Sequence, residues 1–252
     1  MNSIGEKTVL LPAAYFGSVN YWACLMAFPH IIIEAHEHYV KQTLRTRTTI
    51  LTESGPQALS VPVASGSFSV NEGMQAPSGH SHKLPKTKQP ICSIRISDHG
   101  NWARLHQQAL RSAYERSPFF EYYIDDILPL YENPAGQRLL DFDLRSLNII
   151  CDLLDFHPHI SLSSSYEPHP TCVDMRSGIR AAAPSSPRNE GSSAPDSPTQ
   201  SVSDSPFLFA PAPYYQVFQN RFGFTPNLSI LDLLFNMGPE TLLVLRDSIH
   251  AQ

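Results

Sequence analysis

Apolar residues fall in short runs along this chain, and the spacing within each run predicts an element. "TVLLPA" (residues 8–13) is apolar on both faces that a strand presents, the pattern of a short buried strand. "SVNYWACLMAF" follows as a helix with Ser18 or Asn20 as N-cap. "HIIIEAHEHY" reads as a second strand, and "ALSVPV" as a third in which Pro62 marks an edge or bulge. Strand, helix, strand in this order is the pattern of a βαβ unit.

After residue 90 the strand "ICSIRIS" precedes three helical patterns. "NWARLHQQALRSAYER" carries Trp102, Leu105, Ala109 and Ala113 as a stripe, with Asn101 as N-cap. "SPFFEYYIDDILPLY" has Ser117 as N-cap and Pro118 in its first turn. "QRLLDFDLRSLNIICDLLDF" turns Leu140, Leu144, Leu147 and Leu154 to the core, and "HISLS" reads as a late strand. Near the end, the helix "NLSILDLLF" meets Gly238 as terminator, and Pro239 opens "PETLLVLRDSI". The sum is a single α/β domain over residues 7–250, with a mixed or mainly parallel sheet and a helix-rich C-terminal half. Two stretches break the periodicity: residues 64–90, a Gly/Ser/Pro/Lys-rich loop expected to be flexible, and residues 166–213, a Ser/Pro-rich insertion expected to be disordered.

Composition narrows the class. A net charge of -5 argues against a nucleic-acid binder. No apolar run reaches the roughly 18–20 residues of a membrane span, and the N-terminus lacks a signal-peptide pattern. Cys24, Cys92, Cys151 and Cys172 form no CxxC pair, which fits a reducing, cytoplasmic setting.

Candidate chemistry gathers at three places. The turn from Pro12 to Gly17 joins a strand to a helix N-terminus, where free backbone N–H groups suit an anion; Tyr15 and Tyr21 add hydroxyls. In "EAHEHYVKQTLRTRTTI", His36 and His38 on a strand would share a face about 7 Å apart, but no further metal ligand is signalled. Lys41, Arg45 and Arg47 follow at even spacing and suit a phosphate or carboxylate. The stretch therefore reads as a strand feeding an anion-binding turn, or as a solvated polar edge, in preference to a metal site. Elsewhere, His106 is a boundary histidine or a pocket donor beside Arg104 or Lys41. Glu121 is a candidate acid, base or orienting carboxylate. Asp232, flanked by leucines, is either a structurally paired buried acid or a pocket carboxylate with a shifted pKa. Nothing in the sequence names a cofactor.

Together "LLPAAYFGSVNYW", "EAHEHYVKQTLRTRTTI", "WARLHQQALRSAYERSPFFEYY" and "FTPNLSILDLLFNMGPE" resemble the WbqC-like protein family, in the form common in Bacteroidetes. The matching positions include Tyr39, Lys41, Arg47, Trp102, Arg104, His106, Tyr114, Glu121, Pro226, Ser229 and Asp232. Leu11, Gly17 and Asn20 depart from the family's opening, and residues 176–206 look like an insertion. The resemblance implies a cytoplasmic enzyme of surface-polysaccharide (O-antigen-type) biosynthesis, a transferase acting on a nucleotide sugar or amino-sugar. The alternative is a non-catalytic binding or assembly protein of the same pathway. In the enzyme reading Tyr15, Tyr21, Tyr39, Lys41, Arg47 and Arg104 hold a phosphate- or carboxylate-bearing small molecule, and His106, Asp232 or Glu121 move protons.

Overall fold

The computed structural model describes residues 8–64, 89–179 and 207–251. In chain order the elements are β1 (Thr8–Pro12), α1 (Val19–Ala27), β2 (His30–Glu34), β3 (Arg47–Thr52), β4 (Gly55–Ser60), α2 (Trp102–Tyr114), α3 (Phe120–Ile127), α4 (Leu139–Leu153), β5 (His159–Leu162), β6 (Val173–Asp174), β7 (Phe207–Phe209), α5 (Gln219–Phe222), α6 (Ile230–Met237), α7 (Thr241–Asp247) and β8 (Ile249–Ala251).

β1 and β2 run parallel in the register Thr8↔His30 to Pro12↔Glu34, with α1 as the crossover between them. β5 joins β2 and β6 joins β1, both parallel, giving the order β5-β2-β1-β6. Val9, Leu11, Ile31 and Ile33 are fully buried, as strands covered on both faces require. β3 and β4 form an antiparallel hairpin, and β7 and β8 pair antiparallel. The fold is thus mixed α/β with a parallel sheet and a helix-rich C-terminal half. No helix among the described residues is long and apolar enough to cross a membrane.

Several expected elements are shorter or displaced. β2 stops at Glu34 because the Glu34 carboxylate accepts from the His36 N–H, a local side-chain bond that bends the chain out of the strand. Residues 35–39 then bond along residues 89–92 instead, through Tyr39 N–H to Gln89 O, Ile91 N–H to Glu37 O and Cys92 N–H to Ala35 O. His36 and His38 therefore share no strand face. "ICSIRIS" opens as a 3-10 turn over Ile91–Ser93, where the Ser93 hydroxyl donates to Pro90 O. The hairpin is "RTTILT" against "GPQALS" and not "ALSVPV" alone, because Gly55, at φ +109, supplies the turn. The inner stripe of α2 is Trp102, His106, Leu110 and Ala113, while Leu105 is exposed. Asn101 occupies the N-cap position of α2 without a side-chain cap bond, and α3 begins at Phe120, two residues after Pro118.

Of the loop 64–90, residues 65–88 lie outside the described residues, as do residues 180–206 of the insertion 166–213. Parts of the described ends of that insertion are packed. Met175 is fully buried with its N–H on Leu10 O, and Arg176 is bonded into the sheet edge.

Candidate functional site

The carboxyl ends of β1, β2, β5 and β6 lie together, the edge at which open parallel sheets gather ligands. Beyond β1 the chain runs through Ala13–Ser18 in a tight loop. Tyr15 N–H donates to Leu44 O, Phe16 N–H to Ser146 Oγ, and the Trp22 indole to Phe16 O. Tyr21 folds back so that its hydroxyl donates to Pro12 O at 3.0 Å. α4 crosses this loop and borders a small, partly open cavity lined by Ala13, Ala14, Tyr21, Ile33, Asp143, Leu144 and Leu147.

Asp143 is 1% exposed, and neither carboxylate oxygen has a hydrogen-bond partner among the described residues. An unpaired buried carboxylate is expensive to ionise. Burial accordingly pushes Asp143 well above the usual carboxylate range, against the pull of Arg45. Its charge in turn acts on Tyr15, Tyr21 and Tyr39, all held up chiefly by burial.

The surrounding charges are already matched. Arg45 forks onto Glu37, Nε to Oε1 at 2.7 Å and Nη2 to Oε2, and burial raises Glu37 despite that pairing. Glu34, fully buried, accepts from Ser163 Oγ at 2.6 Å, His36 N–H at 2.8 Å and Arg176 Nη1 at 3.1 Å. Arg176 also clamps Asp174 at 2.6 Å, with the Tyr166 ring 5.0 Å from its guanidinium carbon. Burial works to raise Asp174, but Arg176 holds it below its ordinary value.

The structure brings Tyr15, Tyr21 and Tyr39 to this edge and disperses the other expected site residues. Lys41, Arg104 and Glu121 are exposed, and half-buried Arg47 donates to Ser60 Oγ at 3.2 Å. His106 lies behind Tyr15, not in the cavity. Its Nδ1 is 3.0 Å from the Tyr15 hydroxyl, its ring also bonds the Ser60 backbone, and Tyr131 sits 2.6 Å from Tyr15. Asp232 has a separate setting, accepting from Tyr114 (2.9 Å), Tyr214 (2.8 Å) and Gln216 (3.2 Å). The α1 N-terminus, expected to seat an anion, meets protein instead: Val19 N–H donates to Leu228 O and Asn20 N–H to Asn227 Oδ1.

Burial drives His106 down from 6.5 to about 4. The folded protein keeps the ring neutral while the unfolded chain takes up a proton, so stability is lost as pH falls from 6.5 towards 4. The expected loss is about 3 kcal/mol. In urea melts across that range, wild type should lose about 3 kcal/mol more than His106→Gln as pH falls; equal pH slopes in the two would mean that the folded ring accepts the proton.

Sequence reasoning passed over Asp143, Arg45 with Glu37, and Arg176. A signal for the first was present, since Asp143 interrupts the apolar series Leu140, Leu147, Ile150 on the buried face of α4. Arg176 gave none, standing inside a segment with the composition of a linker.

A family model described as the WbqC-like protein family matches residues 13–243. The uncharacterized protein Rv1507c of Mycobacterium tuberculosis (strain ATCC 25618 / H37Rv) is 26% identical over 239 residues, covering 93% of this chain and 95% of that protein. No solved structure matches.

Proposed function

The chain belongs to the WbqC-like protein family, and from that premise we propose that it is a cytoplasmic enzyme of surface-polysaccharide biosynthesis, transferring a group on an activated sugar at the carboxyl edge of its parallel sheet. The observation that carries this reading is Asp143, a buried carboxylate facing a cavity with both oxygens unpartnered among the described residues. A carboxyl whose pKa burial raises is suited to proton transfer with a reacting group. Tyr21 lines the cavity, and Tyr15 and Tyr39 stand near enough to feel the charge of Asp143. Asp143 takes the proton-transfer role in place of His106, whose ring is committed to Tyr15 and Ser60, and of Asp232, which three donors surround. Lys41 and Arg47 remain the candidates for contacting a phosphate.

A panel of nucleotide sugars in a thermal-shift assay tests the reading. A ligand at 100 times its Kd adds about 2.7 kcal/mol, which for a chain of this size raises Tm by roughly 5–10 °C. The shift should shrink in Asp143→Asn and persist in Glu121→Ala. If no nucleotide sugar stabilises clean protein at millimolar concentration, the enzyme reading falls.

The filled α1 N-terminus and the exposed Tyr122, Tyr166 and Tyr215 favour a second reading, a non-catalytic assembly protein of the same pathway. Complementation scored by surface glycan separates the two. Asp143→Asn alone should abolish it for an enzyme, and Tyr122→Ala or Tyr215→Ala for an assembly factor.

A further inference from the structure

We infer that the cavity at Asp143 receives a protonated amine substituent of the ligand, its N–H groups donating to both carboxylate oxygens. This deepens the reading of the carboxyl edge as the ligand site and rests on it for the remainder of the ligand.

Asp143 lacks a donor although donors stand close by. The Tyr21 hydroxyl is spent on Pro12 O, that of Tyr15 lies between His106 and Tyr131, and Arg45 is spent on Glu37 and Thr43. Glu34, at the end of β2, shows what this protein does with a structural acid: it supplies three donors. Asp143 receives none of that provision, although it is equally buried.

The chemistry of the missing partner follows from charge and size. A buried carboxylate is matched fully only by a group bringing both positive charge and more than one donor. A hydroxyl brings one donor and no charge; a secondary amide likewise offers one. A primary ammonium brings three donors and the charge. The cavity has room for about one water-sized group, so it admits an ammonium head while the body of the ligand stays outside. Apolar walls of Ala13, Ala14, Ile33, Leu144 and Leu147 strip water from that group and strengthen its attraction to the carboxylate. A hard metal cation calls for several more oxygen ligands, and no group of three metal-ligating side chains occurs among the described residues. Seating an ammonium favours the ionised form of Asp143, which burial otherwise disfavours.

Two measurements on the full chain test the inference. In the first, methylammonium chloride is titrated into ¹³C-labelled protein and the Asp143 carboxyl resonance is followed, assigned by through-bond spectra and checked by its absence in Asp143→Asn. A saturable shift towards the carboxylate position is expected with methylammonium, and none with acetamide or tetramethylammonium; an unmoved resonance overturns the inference. In the second, calorimetry compares UDP-glucosamine with UDP-N-acetylglucosamine. The free amine is expected to bind at least about ten-fold tighter, and Asp143→Asn should erase the difference. A methylammonium shift without binding of either nucleotide sugar sinks the activated-sugar reading and keeps the amine site. Equal binding of both sugars, with no methylammonium shift, keeps the sugar reading and removes the amine site.

Discussion

Asp232→Ala is expected to destabilise the protein by about 3–5 kcal/mol, the range for removing one partner of a buried charged network. Three donors from separate parts of the chain converge on this carboxylate: Tyr114 at the end of α2, and Tyr214 and Gln216 ahead of α5. Tyr114 also accepts from Leu51 N–H, which ties β3 to the same point. Alanine would leave the two hydroxyls and the amide buried without their acceptor. For a chain of this size the loss corresponds to a fall in Tm of roughly 6–20 °C, measurable by calorimetry. A loss below about 1 kcal/mol would show that the tyrosines find other acceptors.

The same residue has a pH signature. Burial raises Asp232 from 3.8 to about 6, although the bonds from Tyr214, Tyr114 and Gln216 pull it down. Between those values the folded state holds a proton that the unfolded chain has released, so stability falls as pH rises from 3.8 through about 6 and levels off above it. The leg amounts to about 3 kcal/mol and opposes that of His106, which acts across nearly the same window. Asp232→Asn and His106→Gln should therefore tilt the pH–stability curve in opposite directions.

Gly238→Ala is the second large effect, expected at about 2–4 kcal/mol from strain and overpacking together. Gly238 ends α6 at φ 52, ψ -124, and a Cβ there would sit 2.5–2.7 Å from three ring atoms of Phe119. Phe119 cannot withdraw freely, because its N–H donates to Phe235 O. Gly136 is the control: at φ +79 it has nothing within 4 Å of an added Cβ. Its alanine variant bears only the left-handed backbone cost, about 1–2 kcal/mol. Denaturant melts of the two should differ; equal losses would mean that the Phe119 ring swings aside at no cost.

The first parallel pair was legible because strands buried on both faces leave unbroken apolar runs, as "VLLP" and "HIII" do. β3 was not, because "RTTILT" mixes polar and apolar residues and owes its pairing to the Gly55 turn. The site divides along similar lines. Tyr15 and Tyr21 follow from their place after β1, where the fold class alone directs attention. Arg45 looked like a free cation among free cations, since nothing in a linear reading shows Glu37 folding back eight residues to neutralise it. Asp143 is the opposite case: an acid within a leucine series is visible, but what distinguishes it from Asp232 is a missing partner, and only the packed structure reveals that. The helix N-terminus after β1 had the right chemistry for an anion, and the fold spends it on its own C-terminal segment.

That last contact bears on how the chain is made. β1 and α1 leave the ribosome well before α6, so Asn20 waits for Asn227, 207 residues later, before its N–H meets its partner. At roughly 5–20 residues per second the wait is about 10–40 s. Throughout that interval the start of α1 lacks the cover that residues 227–230 later provide, so the nascent N-terminal half exposes apolar surface until that segment emerges.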